Sequence, residues 1–190
     1  MRTRLLAVAG LAAILAVASC DRPETQGEAP SGPAPAAPAA AFSHSISSDL
    51  SGYYMPATEV RIGKWSFDHI FVGQAQEFEA WEGGSRSGTF GPVMLQFDDV
   101  TSPMVQTEIG ETRSVSARVL PTTYSVTDTS LSFEGRSPEL GTVRFEGSLD
   151  PGALATSRRN LGDEGVVVTG RLTVGDAPAR TVQLRWWAGD

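Results

Sequence analysis

From Thr58 onward, apolar side chains return at every second residue, in short runs cut by Gly, Pro and Asp. No other feature constrains the chain as much. A period of two puts successive side chains on opposite faces of a strand, so each run can bury one face and wet the other. Val93, Leu95 and Phe97 alternate in this way, as do Val115, Ala117 and Val119 up to Pro121. Tyr124 with Val126, Leu131 with Phe133, and Val143 with Phe145 mark three further runs. Val166, Val168, Leu172 and Val174 share a face across Gly170, and Val182, Leu184 and Trp186 share one in the last run. Asp176-Ala177-Pro178 between these two reads as a hairpin connection. In Thr58–Val72 the apolar set Val60, Ile62, Trp65 and Phe67 switches parity to Ile70 and Val72. A switch near Asp68 signals a bulge or a break. About eight or nine short strands of this kind predict an all-β fold, an antiparallel sandwich or barrel.

Two stretches depart from this period. Asp150-Pro151 has the form of a helix start, with Asp as N-cap and Pro at the first helical position. Leu154 and Leu161 are seven apart and so share a helix face, and Gly162 supplies a stop. One short helix is therefore expected near 151–161. Gln76–Glu82 spaces Phe78 and Trp81 three apart before Gly83-Gly84, which fits one helical turn or a short strand.

The first forty residues carry none of these patterns. Arg2 and Arg4 precede the apolar run Leu5–Val17, which is too short to span a bilayer, a task needing about 20 residues. The run is therefore expected to be the core of a secretory signal. Val17-Ala18-Ser19-Cys20 resembles the lipobox of bacterial lipoproteins. The resemblance implies removal of residues 1–19 and a diacylglycerol on the Cys20 thiol. Two acyl chains give stable anchoring where one gives marginal binding. Asp21 is similar to the signal that keeps enteric lipoproteins in the inner membrane, so the resemblance places the chain on the periplasmic side, inner membrane over outer. Residues 20–41 hold five prolines among Ala, Gly and Ser, a Pro/Ala tether of polyproline II type. Residues 42–190 are left as a single domain of a size that buries its own core.

Composition narrows the function classes. The chain has a net charge of −7, and losing Arg2 and Arg4 makes it more acidic, which argues against nucleic acid as a partner. Cys20 is the only cysteine, so the domain is expected to hold no disulfide and no thiolate metal ligand. No phosphate-loop or nucleophile-elbow pattern is present in Gly83–Gly88, which reads as a surface loop. The acidic pairs Asp98-Asp99 and Asp163-Glu164 lack calcium-loop spacing. No catalytic residue, metal ligand or cofactor is assigned.

Four residues are candidate ligand or partner contacts. His69 lies in a strand beside Asp68, where a base or ligand role is open. Arg158 and Arg159 stand on the short helix and could bind an anion or lipid head group, or simply favour its last turn. Trp187 faces away from Trp186 and so away from the core, as a contact surface or a cover for a glycine. His44, close to the tether, is expected to be solvated.

Trp65-Ser66-Phe67-Asp68-His69 and Val168-Thr169-Gly170-Arg171-Leu172-Thr173-Val174, with Val182 and Leu184, resemble the YceI family. That family has a Trp-x-x-Asp start and a closing Val-Thr-Gly-x-Leu-Thr hairpin. The resemblance implies a lipocalin-like barrel holding a long isoprenoid chain. It covers two short stretches, and the family's His lies further past the Asp than His69 does. Together these readings lead to a non-enzymatic, membrane-tethered binding or envelope-assembly module with a protein or lipid ligand. An isoprenoid carrier is the alternative, and a hydrolase ranks last.

Overall fold

The computed structural model describes residues 41–108 and 110–189. The leader, Cys20 and nearly all of the tether lie outside the described residues. Thirteen strands and two short helices follow in order: β1 (Phe42–Ser45), β2 (Gly52–Pro56), β3 (Arg61–Ile62), β4 (Trp65–Val72), α1 (Ala75–Glu82), β5 (Val93–Asp99), β6 (Met104–Thr107), β7 (Gly110–Arg113), β8 (Ser116–Val119), β9 (Pro121–Thr127), β10 (Ser130–Ser137), β11 (Gly141–Leu149), α2 (Pro151–Arg159), β12 (Val166–Val174) and β13 (Arg180–Trp187).

One curled sheet in the order β1-β9-β10-β11-β12-β13-β2-β4-β5-β8 makes a half-barrel, with β3 paired to β4. All its pairs are antiparallel except β1 with β9, which run parallel. The all-β expectation therefore holds, with more strands than the alternation alone reveals and one parallel pair. The hairpin β6–β7 forms a small separate sheet.

The period-two sets fall inside as read. Val93, Leu95 and Phe97 are fully buried, as are Val143 and Phe145, Val182 and Leu184. Val166 in β12 is only partly buried and does not keep the Val168 face, and Val115 is a second exception. It precedes β8 and is 45% exposed, while Ala117 and Val119 are buried. In β12 the register shifts between Val166 and Val168, which lets adjacent Val167 and Val168 both face the core.

The parity switch at Asp68 is a bulge. The β4–β5 register moves between Phe67, opposite Phe97, and His69, opposite Gln96. Trp65 and Phe67 before it and Ile70 and Val72 after it are all buried. An extra residue in one strand re-aims its neighbours. Here it leaves Asp68 and His69 side by side on the outer face.

The inside of the half-barrel is filled by the rings of Tyr54, Phe67, Phe78, Phe97 and Phe145, each fully buried. The buried Tyr54 hydroxyl donates to the Leu50 carbonyl at 2.7 Å. Phe145 owes its place to two glycines directly opposite each other, Gly147 in β11 and Gly170 in β12. A Cβ on Gly147 would stand 2.8 Å from the Phe145 ring, and one on Gly170 2.6 Å from it.

Both helices cap this interior. In α1, Phe78 and Trp81 are buried, which decides for a helix over a strand between Gln76 and Glu82. Its first turn is closed by the Glu77 carboxylate, which accepts from the Gln74 amide at 2.7 Å. In α2, the Asp150 carboxylate accepts from the amides of Gly152 and Ala153 at 2.8 and 3.0 Å, the N-cap that the sequence indicates. The helix ends at Arg159, before Gly162. Leu161 therefore does not share the face of buried Leu154 and is 74% exposed.

One acid fixes the β5–β6 turn. Asp99 accepts from the Lys64 ammonium at 2.7 Å, from the Thr101 hydroxyl at 2.6 Å and from the Thr101 amide at 2.9 Å. The hydrogen bonds from Lys64 and Thr101 hold its carboxyl at about 2. An unfolded Asp titrates near 3.9. The stabilisation from this ionised group is therefore complete above about pH 4 and is lost as pH falls toward about 2. Urea midpoints measured at pH 7, 4 and 2 are expected to fall with acid, and Asp99→Asn is expected to lower the midpoint at pH 7 and reduce that fall.

Candidate functional site

The outer face of β2, β4 and β13 carries an open groove of about 730 Å³. Its construction follows from strand register. On β2, Tyr54 turns inward, so neighbouring Tyr53 and Met55 turn outward. Tyr53 lies directly opposite Trp187 of β13 on one side and Phe71 of β4 on the other. Its ring centroid is 5.5 Å from Trp187, 5.4 Å from Phe71 and 5.0 Å from His69. These are contact distances for tilted and edge-on aromatic pairs. Trp187 is 40% exposed, so much of its indole is open to a ligand.

The bulge supplies the polar end of the groove. His69 Nδ1 lies 2.7 Å from the Asp68 carboxylate. Gln74, the N-cap of α1, and Glu77 in its first turn also line the groove. Asp98, on the strand next to Asp68, has its carboxyl raised by burial and by the Asp68 charge, with His69 and Arg113 opposing. No Arg or Lys lines the main groove. Past Tyr53, His69 and Phe71 a smaller recess of about 260 Å³ continues among Phe90, Met94, Gln96 and Arg118.

The four candidate contacts separate here. His69 and Trp187 are brought together in the groove. Arg158 stands behind it: its guanidinium pairs with Asp49, donates to the Ser51 carbonyl at 3.0 Å and lies 4.9 Å over the Trp186 ring. The Trp186 indole donates to the same Ser51 carbonyl at 3.0 Å. Burial pushes Asp49 up, but hydrogen bonds from Ser51 and Arg158 outweigh it and hold the carboxyl below its ordinary value. These contacts brace the Ser51-Gly52 wall. Gly52 has φ +137°, and any side chain there would strike the Trp186 indole. Arg159 is exposed, its guanidinium 3.4 Å from the Thr156 hydroxyl, and it does not line the groove.

Tyr53, Phe71 and Met55 are not among the sequence candidates. Phe71 could have been found from parity, since it alternates against buried Ile70 and Val72 and so must face outward. His44 differs from its expected solvated state. Its Nδ1 lies 3.0 Å from both Glu82 carboxylate oxygens, and its ring stacks on Phe78 at 5.1 Å. Tyr124 donates to the same Glu82 at 3.1 Å. This cluster fastens β1 to α1. The acidic pair Asp163-Glu164 is likewise engaged, Asp163 with Ser157 at 3.0 Å and Glu164 with Arg185 at 3.2 Å.

Chemically, the groove offers ring faces and hydrogen-bond acceptors. The His69–Asp68 pair could orient an imidazole for base work. The aliphatic hydroxyl in the lining, that of Ser51, instead donates to Asp49 at 2.6 Å. Among the described residues no group of three or more His, Asp and Glu converges as a metal site, and no helix is long and apolar enough to cross a membrane. Comparison with protein-family models, curated proteins and solved structures finds no match for the chain. The YceI-like expectation thus rests on its two sequence stretches, which lie in β4 and in the β12–β13 hairpin.

Proposed function

We propose that the chain is a lipid-anchored, non-enzymatic binding module of the periplasm, held at the inner membrane through acylated Cys20 and presenting the Tyr53–His69–Trp187 groove to a partner. The observation that carries this reading is the aromatic groove itself. Sheet residues on a wetted face are ordinarily polar. Here Tyr53, Met55, Phe71 and Trp187 share the outer face, although the interior is already filled by other rings. Exposed apolar surface of this kind marks an interaction site. The Pro/Ala tether fits the same reading, because ~3.1 Å per residue lets its 20-odd residues carry the domain on the order of 60 Å from the bilayer.

Site-specific photo-cross-linking in cells tests this. A photoreactive residue replacing Trp187 in the full chain is expected to give discrete higher-mass adducts. The same residue at Thr181, on the same strand and about 20 Å away, is expected to give none. Equal adducts from both positions, or none from either, would contradict the groove as the working surface.

A further inference from the structure

We infer that the groove takes a basic peptide segment, with one arginine or lysine side chain lying over the Trp187 ring within reach of Asp68 and Glu77. This deepens the binding-module reading and rests on it. The chain has four tryptophans, and three of them carry a cation of their own. Lys64 sits 4.9 Å from the Trp65 ring centroid, Arg86 4.7 Å from Trp81 and Arg158 4.9 Å from Trp186. Trp187 is the most exposed of the four, and among the described residues no cation lies over it. A ring face attracts a cation by its quadrupole, and arginine adds planar stacking.

Charge points the same way. The groove is lined by Asp68 and Glu77 with no Arg or Lys between them. An anion would be repelled there, whereas a cation can add to the contacts that His69 and the Gln74 amide already make to these carboxylates. Net charge of −7 adds long-range attraction for a basic partner. Size favours a peptide over a lone amine. About 730 Å³ is far more than one ammonium head fills, and the recess past Phe71, lined by Phe90, Met94 and Arg118 with no acid, suits an uncharged neighbouring residue of the peptide. Met55 and Met94, one in each part, are side chains that adapt to varied apolar neighbours.

The test is fluorescence anisotropy of a labelled tri-arginine peptide titrated with the full chain in non-ionic detergent. Binding is expected to saturate and to weaken as salt rises. Trp187→Ala and Asp68→Asn are each expected to weaken it roughly tenfold with circular dichroism unchanged. Glu111→Gln removes a carboxylate from the β6–β7 hairpin, which does not line the groove, and is expected to leave affinity as it was. Tri-glutamate is expected not to bind. The inference is overturned by absence of saturable tri-arginine binding, by indifference to both groove variants, by an equal loss in Glu111→Gln, or by equal competition from a neutral chito-oligosaccharide. If tri-arginine fails while residue 187 still cross-links in cells, the ligand class is wrong and the groove reading survives. If both fail, the groove reading falls as well.

Discussion

Replacing Phe145 by alanine is expected to cost about 3–5 kcal/mol, at the upper end of what a single core truncation does. The reason is local. The ring is fully buried, and the residues directly against it in β11 and β12 are Gly147 and Gly170. A cavity is cheapest where neighbours can relax into it, and two glycines have no side chains to move. A domain of this size has a total stability of about 5–15 kcal/mol, so the variant is close to unfolding. The same geometry fixes a sign change. Gly147→Ala alone places a Cβ 2.8 Å from the ring and is expected to destabilise by about 1–3 kcal/mol. In the Phe145→Ala background that ring is gone, and the added methyl is expected to be neutral or stabilising. Urea midpoints of the four members of this cycle measure the coupling. Simple additivity would show that Phe145 does not rest on the glycine pair.

The second large effect concerns the anchor. Cys20→Ala is expected to abolish acylation, because no other thiol exists in the chain to receive the lipid. Stable attachment needs two acyl chains or an equivalent second signal. The acidic chain offers no polybasic patch to supply one. The variant is therefore expected to accumulate as uncleaved or mislocalised precursor. Fractionation of cells into membrane and soluble pools, with the chain detected in each, reads this directly. A Cys20→Ala chain that has lost residues 1–19 and still fractionates with membranes like the unaltered chain would refute lipidation as the means of attachment. The groove variants Trp187→Ala and Asp68→Asn serve as controls, since both lie on the domain surface and are expected to remain membrane-bound.

How much of this was legible in the sequence depended on which faces were buried. Strands with one dry face, such as β5, β10, β11 and β13, announce themselves by alternation. The bulge at Asp68 was legible for the same reason, as a break in a regular count. It also builds the acidic end of the groove, since it sets Asp68 and His69 on one face. β2 was not legible. Its five residues begin with Gly, end with Pro and place Tyr53 and Tyr54 side by side, so an inward and an outward ring look alike. The centre of the groove was missed on that account. β6 and β7 were silent because they are largely exposed and carry no alternation. The end of α2 was misread because Leu161 matched the helical period, while the chain leaves the helix at Asn160. Arg158 could be placed on its helix, but its partners Asp49, Ser51 and Trp186 are distant in sequence, and only the fold brings them together.

Intact mass spectrometry of the full chain extracted from membranes tests the tethered-module account most directly. The expected mass is that of a chain beginning at Cys20 with a diacylglyceryl group on its thiol. A membrane-extracted chain that begins at Met1, or that begins elsewhere with Cys20 unmodified or absent, would contradict it.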